Sequence, residues 1–460
     1  MESSAQLNVI LIVIDTARAD RFGCYGYTRA TTPAIDDLAR GATVFDRMIS
    51  PASWTLPSHA SLFTGLYPRE HGADHPDCRM RTGITLLDSH LRRHGYRTVF
   101  VSNNPLVSKR TGVVDETSDL LHRLHFDPAS RKRWLRVTRA LVGKSDRGAG
   151  ATAAVLDRML RELTGPFFMF INYMECHWPY VSPFSYQRRF VRRPFSPVDS
   201  ILCRNRIGRR YAWDNGRLQD REELELVNDL YDASLAYVDH WIGELLDELD
   251  HRGGGRDTVV IITADHGENI GEHGLGGHGM CLYQTLLHVP FIVRIPGNAP
   301  MRAAGSAQLT DVFAGLCGLL GIAIPGHLAN RPFAADPGWL MTGRPNRAFA
   351  FAEWHYSEKA DLHRRLMRSH FPPPPDLESV QDERYKLIVE PAVGKTVLFD
   401  LREDAGEHHD RASELAEHRN RLSNALEDWK TATHPMGVLN SYTPEEERTL
   451  QARLKELGYV

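Results

Sequence analysis

Two runs of apolar residues, far apart in the chain, each lead into side chains that bind metals. Val9 to Ile14 is followed by Asp15, and Val259 to Ile262 is followed closely by Asp265 and His266. Continuous apolar runs of this length are typical of strands buried on both faces of a parallel sheet. Ligands of such sheets bind beyond the carboxyl ends of the strands. The pattern predicts that the three polar side chains meet at one divalent cation, although an aspartate after a strand is also a common helix cap.

A third segment, from Ser53 to Gly65, places a hydroxyl group at the start of a predicted helix. Thr55 is followed by Pro57 and Ser58, and the residues after them have helical periodicity. Backbone N–H groups at a helix N-terminus attract anions, which suits a nucleophile that attacks an anionic substrate. Ser and Thr also mark ordinary capped turns, so the segment taken alone leaves both interpretations open.

Predicted strands and helices alternate along the first two-thirds of the chain. Besides the two apolar runs, the predicted elements are strands at 98–102 and 166–173 and helices at 33–42, 86–94, 151–163 and 222–249. This alternation indicates an α/β fold with a mostly parallel sheet sandwiched by helices. Beyond residue 345 the pattern changes to short strands and a final helix. We therefore predict a larger α/β domain at 1–345 and a C-terminal α+β subdomain at 346–460.

Charge and cysteine usage limit the partners and the compartment. The net charge of −3 gives no reason to expect nucleic-acid binding. The six cysteines are scattered without paired spacing, which is typical of free thiols in a reducing compartment. The first apolar run is too short for a signal peptide, and no later run reaches the length of a membrane span. These features predict a cytoplasmic location.

Further short motifs accompany these segments. They are Gly95-Tyr96-Arg97-Thr98, His177-Trp178-Pro179-Tyr180, Ala264 to Glu268, His273-Gly274-Leu275, His288-Val289-Pro290, Tyr385-Lys386-Leu387 and Leu398 to Leu401. Together with the Asp15 strand and the Thr55 segment, they resemble the sulfatase family of the alkaline phosphatase superfamily, nearly from end to end. The resemblance implies an alkaline-phosphatase-like fold with a small C-terminal antiparallel sheet and one helix. It also implies cleavage of small anionic esters at a metal site.

Several positions depart from the family pattern. Thr55 stands where the family has the Cys or Ser that is oxidised to formylglycine, and its Cβ methyl group prevents formation of that aldehyde. No formylglycine is therefore expected. Residues 102–105 replace a sulfate-contacting Lys and His, and His278 replaces a second Lys. His59 replaces an Arg, and Thr16 replaces a second Asp. The chain thus lacks several positive charges that hold sulfate in the family.

The resemblance implies that threonine itself is the nucleophile. Elsewhere in the superfamily such a threonine attacks phosphorus directly and forms a covalent intermediate. We predict the same for Thr55, and we expect its oxygen to bind one divalent metal ion together with Asp15, Asp265 and His266. Carboxylate, imidazole and hydroxyl ligands suit Mn, Zn, Mg or Ca, and the sequence does not choose among them.

Three further catalytic residues are expected around this nucleophile. His177 matches a family position near the leaving group and is predicted to be the general acid. His278 is expected to donate to the substrate's oxygens or to share that role. Imidazole can do either near neutral pH, where lysine would stay charged. Asn103, or its neighbour Asn104, is expected to help bind the non-bridging oxygens.

These residues favour a metal-dependent hydrolase of a sulfate, phosphate or phosphonate ester. The missing lysines favour phosphodiesters and phosphonate esters over sulfate monoesters. Two alternatives stay open: a transferase that moves a phospho group to an alcohol or lipid acceptor, and a non-catalytic binding protein on a sulfatase scaffold. Acceptor-dependent turnover would indicate the first alternative, and absence of bound metal in the purified protein would indicate the second.

One basic segment, residues 131–147, does not follow from the resemblance. It contains seven Lys and Arg residues but a single acid, Asp146, and apolar residues lie between the charges. One interpretation is a solvated helix that packs its apolar side on the body of the protein. The other is a basic lid that recruits an anionic substrate or makes a weak contact with a membrane surface. Homo-oligomerisation is left open as well.

Overall fold

A computed structural model covers the chain. The residues that it describes are 6–74, 79–122, 145–202, 221–331, 336–345, 347–355, 375–438, 445 and 448. The basic segment at 131–147 lies outside these residues except for its last three positions. Both interpretations of that segment, the packed solvated helix and the basic lid or membrane contact, are therefore untested.

A sheet of nine strands forms the centre of the larger part. The first eleven strands of the chain are β1 (Asn8–Ile14), β2 (Thr43–Ile49), β3 (Arg97–Ser102), β4 (Asp119–His122), β5 (Phe167–Tyr173), β6 (Thr258–Thr263), β7 (Asn269–Ile270), β8 (Gly276–Gly277), β9 (His288–Val289), β10 (Phe291–Arg294) and β11 (Met301–Gln308). The order in the sheet is β11-β2-β10-β6-β1-β5-β3-β4, with β9 beside β2, while β7 and β8 pair only with each other. β10 runs antiparallel to β2 and β6, whereas β1 pairs in parallel with both β5 and β6. The predicted α/β fold with a mostly parallel sheet is confirmed.

Helices flank this sheet and bury its central strands. They are α1 (Pro33–Arg40), α2 (Thr55–Thr64), α3 (Pro68–His71), α4 (Leu87–Arg93), α5 (Ala149–Glu162), α6 (Phe184–Phe190), α7 (Arg221–His251), α8 (Gln284–Leu287), α9 (Val312–Leu320) and α10 (Trp339–Thr342). Val9 to Ile14 of β1 are fully buried, as expected of a strand covered on both faces. The polar residues that follow the central strands therefore lie at the edge of a rigid core.

A second, smaller sheet follows in the chain. Its strands are β12 (Ala350–Trp354), β13 (Leu377–Gln381), β14 (Tyr385–Glu390) and β15 (Lys395–Asp400), and every neighbouring pair is antiparallel. The last helix, α11 (Ala416–Ala432), packs Leu422, Leu426 and Trp429 into the same core as Val380. The small antiparallel sheet with one helix is confirmed, and the domain boundary after residue 345 stays a prediction.

A network of charged side chains joins α3 to the small sheet. Arg69 Nε donates to Glu353 at 2.9 Å, and Arg69 Nη2 donates to Glu378 at 2.7 Å. His355 Nε2 lies 2.7 Å from Glu353, and its Nδ1 lies 3.8 Å from Asp376. Burial opposes the charged form of His355, but Asp376 and Glu353 outweigh it and raise the pKa of His355 to about 10. Burial likewise disfavours the charge of Glu353, but His355 and Arg69 hold its pKa down at about 2.

We expect the stability contributed by His355 to depend on pH. The pKa of His355 is higher in the folded than in the unfolded chain, so its contribution is complete below about pH 6.5 and is lost toward pH 10. The His355→Gln variant should therefore melt several degrees below the wild type at pH 6.5, and the gap should narrow by pH 10. Thermal unfolding followed by circular dichroism measures this. His409→Gln, at an exposed site, is the control. An equal gap at both pH values would contradict the assignment.

Candidate metal and nucleophile site

The pairing of β1 with β6 brings the two predicted aspartates together. Val13 lies opposite Thr263 in the parallel register, so Asp15 and Asp265, two residues further along each strand, emerge side by side. His266 follows directly. One ligand atom from each of the three buried side chains lies within 4.8 Å of the others. The convergence predicted from the two apolar runs is therefore found in the structure.

The two carboxylates of this cluster repel each other, and each has one oxygen atom that accepts no hydrogen bond from a described residue. Asp265 Oδ1 accepts hydrogen bonds from the backbone N–H groups of Thr16 and His266, at 3.2 and 2.9 Å. Asp15 Oδ1 and Asp265 Oδ2 accept no hydrogen bond from any described residue. Burial, and then the charge of Asp265, raise the pKa of Asp15 well above its usual value. Buried carboxylates arranged in this way fit a cation, and the donor set of two carboxylates and an imidazole fits a divalent one.

The tautomer of His266 leaves its second ring nitrogen suited to bind a metal. Its Nδ1 lies 2.8 Å from the carbonyl oxygen of Gly267, which only accepts, so Nδ1 carries the proton. The Nε2 atom therefore carries a lone pair, and it lies 3.4 Å from Asp265 Oδ2. Burial lowers the pKa of His266 to about 4, which keeps the ring neutral. A neutral imidazole with an oriented lone pair is the form that ligates metals.

Thr55 is the first residue of α2, and its hydroxyl points into this cluster. The preceding residue, Trp54, is extended, so the chain turns into the helix at Thr55. Thr55 Oγ1 lies 3.3 Å from His266 Nε2 and is fully buried. His59, one turn along α2, hydrogen-bonds the carbonyl oxygen of Thr55 at 2.9 Å and lies 3.4 Å from Asp265. The predicted nucleophile and the predicted metal ligands thus occupy one site.

Two further predicted histidines form a row beside His266. The ring centroids of His266 and His278 are 4.6 Å apart, and those of His278 and His177 are 4.8 Å apart. His278 Nδ1 lies 3.4 Å from Glu268, whose carboxylate is fully buried. His177 Nδ1 lies 2.6 Å from the carbonyl oxygen of Trp178, which fixes its proton there. Burial, followed by the nearby His278, lowers the pKa of His177 well below its usual value.

The two asparagines after β3 differ in their contacts. Asn104 Nδ2 donates to Asp15 Oδ2 at 2.6 Å and so reaches the acidic cluster. Asn103 Nδ2 donates instead to Thr152 Oγ1 at 3.0 Å, at the start of α5. The structure therefore brings Asn104 to the site directly and places Asn103 beside the loop that precedes α5. A role for Asn103 in binding substrate oxygens stays a prediction.

Sequence reasoning gave no individual role to two residues that lie beside this site. Glu268 lies within a quoted motif, and its position two residues after His266 was a signal that it shares the same edge of the sheet. Arg147 closes the basic segment, and its guanidinium lies 3.4 Å from His177 Nδ1. The sequence holds no signal that distinguishes Arg147 from the other charges of that segment.

Comparisons with known proteins identify the family of the chain. The model of the family described as Sulfatase matches residues 7–322. Iduronate 2-sulfatase of Mus musculus is 22% identical over 408 residues, which cover 71% of this chain and 72% of that protein.

Within the residues that the structure describes, no helix combines the length and apolar character needed to cross a membrane.

Solved structures with the same fold include two phosphonate monoester hydrolases. The enzyme of Agrobacterium radiobacter aligns with a TM-score of 0.72 and 22% identity, over 93% of this chain and 96% of that one. The enzyme of Silicibacter pomeroyi aligns with a TM-score of 0.73 and 21% identity, over 96% and 98% of the two chains. Since the family match extends over well more than half of the sequence, the chain belongs to the sulfatase family and is a sulfatase-like ester hydrolase.

Proposed function

We propose that the protein is a metal-dependent hydrolase that cleaves a small sulfate, phosphate or phosphonate ester through Thr55 and a covalent intermediate. The observation that carries the proposal is the position of Thr55 Oγ1, 3.3 Å from His266 Nε2 at the end of β6. A hydroxyl buried beside carboxylate oxygens without hydrogen bonds does not stabilise the fold, because burial of polar atoms without partners is unfavourable. The arrangement is explained if the site binds a cation and the hydroxyl attacks an anionic ester.

The residues that would hold the metal are Asp15, Asp265, His266 and the oxygen of Thr55. A bound divalent ion supplies Lewis-acid chemistry, lowering the pKa of a hydroxyl and neutralising charge on substrate oxygens. The donor set is compatible with Mn, Zn, Mg or Ca. Asn104 holds Asp15 in place through its 2.6 Å hydrogen bond. The backbone N–H of Thr16 does the same for Asp265.

The reaction then proceeds through groups of the chain itself. The oxygen of Thr55, having released its proton to solvent, attacks phosphorus, or sulfur, in line with the leaving alcohol, and the bond to that alcohol breaks. The departing oxygen takes a proton from protonated His177 or His278. The same histidine, now neutral, accepts a proton from the water that attacks the covalent intermediate. The bond to Thr55 then breaks, which frees its oxygen and releases the acid product. No oxidised side chain is needed, which agrees with the threonine at this position.

The histidine row supports the acid role. His177 is neutral at rest because its pKa is depressed, and the negative charge of a bound substrate favours its protonation. Its Nδ1 proton is committed to Trp178, so Nε2 is the atom that can protonate a leaving group. Glu268 faces Nδ1 of His278 and can orient that ring in the same way.

The His177→Gln variant should therefore respond to the leaving group. We expect kcat/KM to fall by about 10²-fold for esters of poorly acidic alcohols and far less for nitrophenyl esters, which leave without help. Rates across a series of leaving groups measure the difference. His273→Gln is the control, since that ring stacks on Tyr283. A uniform loss for all leaving groups would assign His177 to substrate positioning instead.

Two observations support phosphodiesters and phosphonate monoesters over sulfate monoesters. Residues 102–105 and His278 stand where the family has sulfate-contacting lysines. Phosphonate monoester hydrolases are also among the structures that share this fold over nearly the full length of both chains. A solved relative of the same fold is described in complex with its substrate, D-glucosamine-2-N,6-O-disulfate, so sulfate esters belong in the test.

The test compares four esters of one aryl alcohol with manganese-loaded protein. The esters are a phosphodiester, a phosphonate monoester, a phosphate monoester and a sulfate monoester. We expect the highest kcat/KM for the phosphodiester or the phosphonate monoester. Preference for the sulfate monoester would overturn the substrate assignment. Turnover that requires an added alcohol acceptor would show a transferase, and absence of both turnover and bound metal would show a binding protein.

A further inference from the structure

The loop before α5 is held firmly against the body of the protein. Asp146 Oδ2 accepts a hydrogen bond from the Tyr237 hydroxyl at 2.8 Å. The backbone N–H of Ala149 donates to the buried carboxylate of Glu175 at 2.8 Å. Gly148 approaches Asn103 so closely that a Cβ atom there would lie 3.0 Å from the Asn103 amide nitrogen. The loop therefore has a defined position, and the acid next to Arg147 in sequence is engaged with another partner.

This anchoring aims the side chain of Arg147 at the catalytic centre. Its Nη2 donates to the carbonyl oxygen of Trp178 at 2.8 Å, and its Nη1 lies 3.4 Å from His177 Nδ1. The guanidinium therefore lies against the predicted general acid, at the end of the histidine row.

The electrostatics of the site call for such a charge. Asp15, Asp265 and Glu268 are all fully buried here, and a divalent ion offsets only two negative charges. An anionic substrate brought into this site needs a further cation, because like charges in a low-dielectric site repel strongly. The segment after β3, where the family has a lysine, provides none: Asn103 instead supports the loop that carries Arg147.

We propose that Arg147 binds a non-bridging oxygen of the substrate's phosphoryl, phosphonyl or sulfuryl group and so replaces the positive charge lost after β3. The assignment rests on the function proposed above for the same site. A planar guanidinium donates to tetrahedral oxyanions with defined geometry and keeps its charge at any pH that the protein tolerates. Arg147 is then a specificity-determining residue that lies in the loop before α5 and not at the carboxyl edge of the sheet.

The test uses Arg147→Gln and Arg147→Lys, with Arg161→Gln as the matched control. Arg161 lies near the far end of α5 and pairs with Asp157 on the surface. Its replacement by Gln removes the same charge as the replacement of Arg147. Binding of inorganic phosphate to the manganese-loaded full-length chain is measured by isothermal titration calorimetry, independently of turnover. Loss of one charge-assisted contact should raise Kd about tenfold or more in Arg147→Gln, with partial recovery in Arg147→Lys and no change in the control.

Two outcomes would overturn the assignment, and a third would separate it from the proposed function. A Kd within twofold of the wild type in Arg147→Gln would overturn it. So would equal losses of affinity and of Tm in both Arg147 variants, which would indicate a purely structural tie to Trp178. Binding of phosphate that depends on Arg147, in a protein that cleaves none of the four esters, would support the assignment and overturn the hydrolase.

Discussion

The Thr55→Ala variant should lose turnover of every ester that the wild type cleaves, by at least about 10³-fold in kcat. The variant lacks the hydroxyl oxygen that lies 3.3 Å from His266 Nε2 at the start of α2. Thr55→Ser keeps that oxygen and removes only a methyl group, so it should retain measurable turnover. The readout is kcat for the four aryl esters, with bound metal quantified in each preparation.

Thr64→Ala is the matched control for this experiment. Thr64 is a buried threonine at the end of the same helix. Its hydroxyl donates to the carbonyl oxygen of Ala60 at 2.6 Å and accepts from the backbone N–H of Leu66 at 3.2 Å. Loss of that hydroxyl should lower stability slightly and leave kcat unchanged. Equal kcat in the wild type and Thr55→Ala would remove Thr55 from the mechanism, and inactivity of all three variants would point to damage of the helix.

The second large effect is a change in the thermal stability of the Asp15→Asn variant, and its direction depends on whether metal is present. In metal-free protein, Asp15→Asn should raise Tm, because it removes a buried charge that burial and Asp265 both disfavour. Manganese should then stabilise the wild type by about 2.7 kcal/mol at a free concentration about 100 times Kd, and should not stabilise the variant. The variant should also lose activity. Differential scanning calorimetry with and without metal measures the crossover.

The difference in stability between metal-free Asp15→Asn and the metal-free wild type should depend on pH. A carboxyl group whose pKa is raised by folding destabilises the protein as the pH rises through that pKa. The advantage of metal-free Asp15→Asn over metal-free wild type should therefore grow with pH. Asp88→Asn is the control for metal binding: burial also raises the pKa of Asp88, to about 6, so this variant should show the same trend with pH but keep the stabilisation by manganese. A metal-induced stabilisation that persists in Asp15→Asn would contradict the ligand assignment.

Much of this site could be predicted from the sequence because strand ends are local features. An apolar run that stops at Asp15, and another that leads to Asp265, mark both the edge of the sheet and the candidate metal ligands. The register of β1 against β6 was not needed, since parallel neighbours expose their carboxyl ends together. The position of Thr55 at a helix start could be predicted for a similar reason, because the residues around the start of α2 indicate that start in the sequence.

Other parts of the site could not be derived, because they depend on contacts between distant segments. Asn103 and Asn104 are adjacent and chemically identical, and only the turn after β3 decides which of them meets Asp15. Arg147 carries no periodic signal that separates it from the other basic residues before it. The pairing of Glu353 with His355 needs the small sheet in place before its effect on either pKa appears.

Thr55 should become covalently modified during turnover, and mass spectrometry of the quenched enzyme detects that modification. Manganese-loaded protein would be mixed with an aryl phosphonate monoester, quenched in acid within one turnover, digested and sequenced by fragmentation. A phosphonyl group comes only from the added substrate, so it cannot be confused with earlier phosphorylation of the protein. The account predicts this group on Thr55 and its absence in Thr55→Ala. A phosphonyl group on another residue, or an unmodified Thr55 in an enzyme that has released the alcohol, would contradict it.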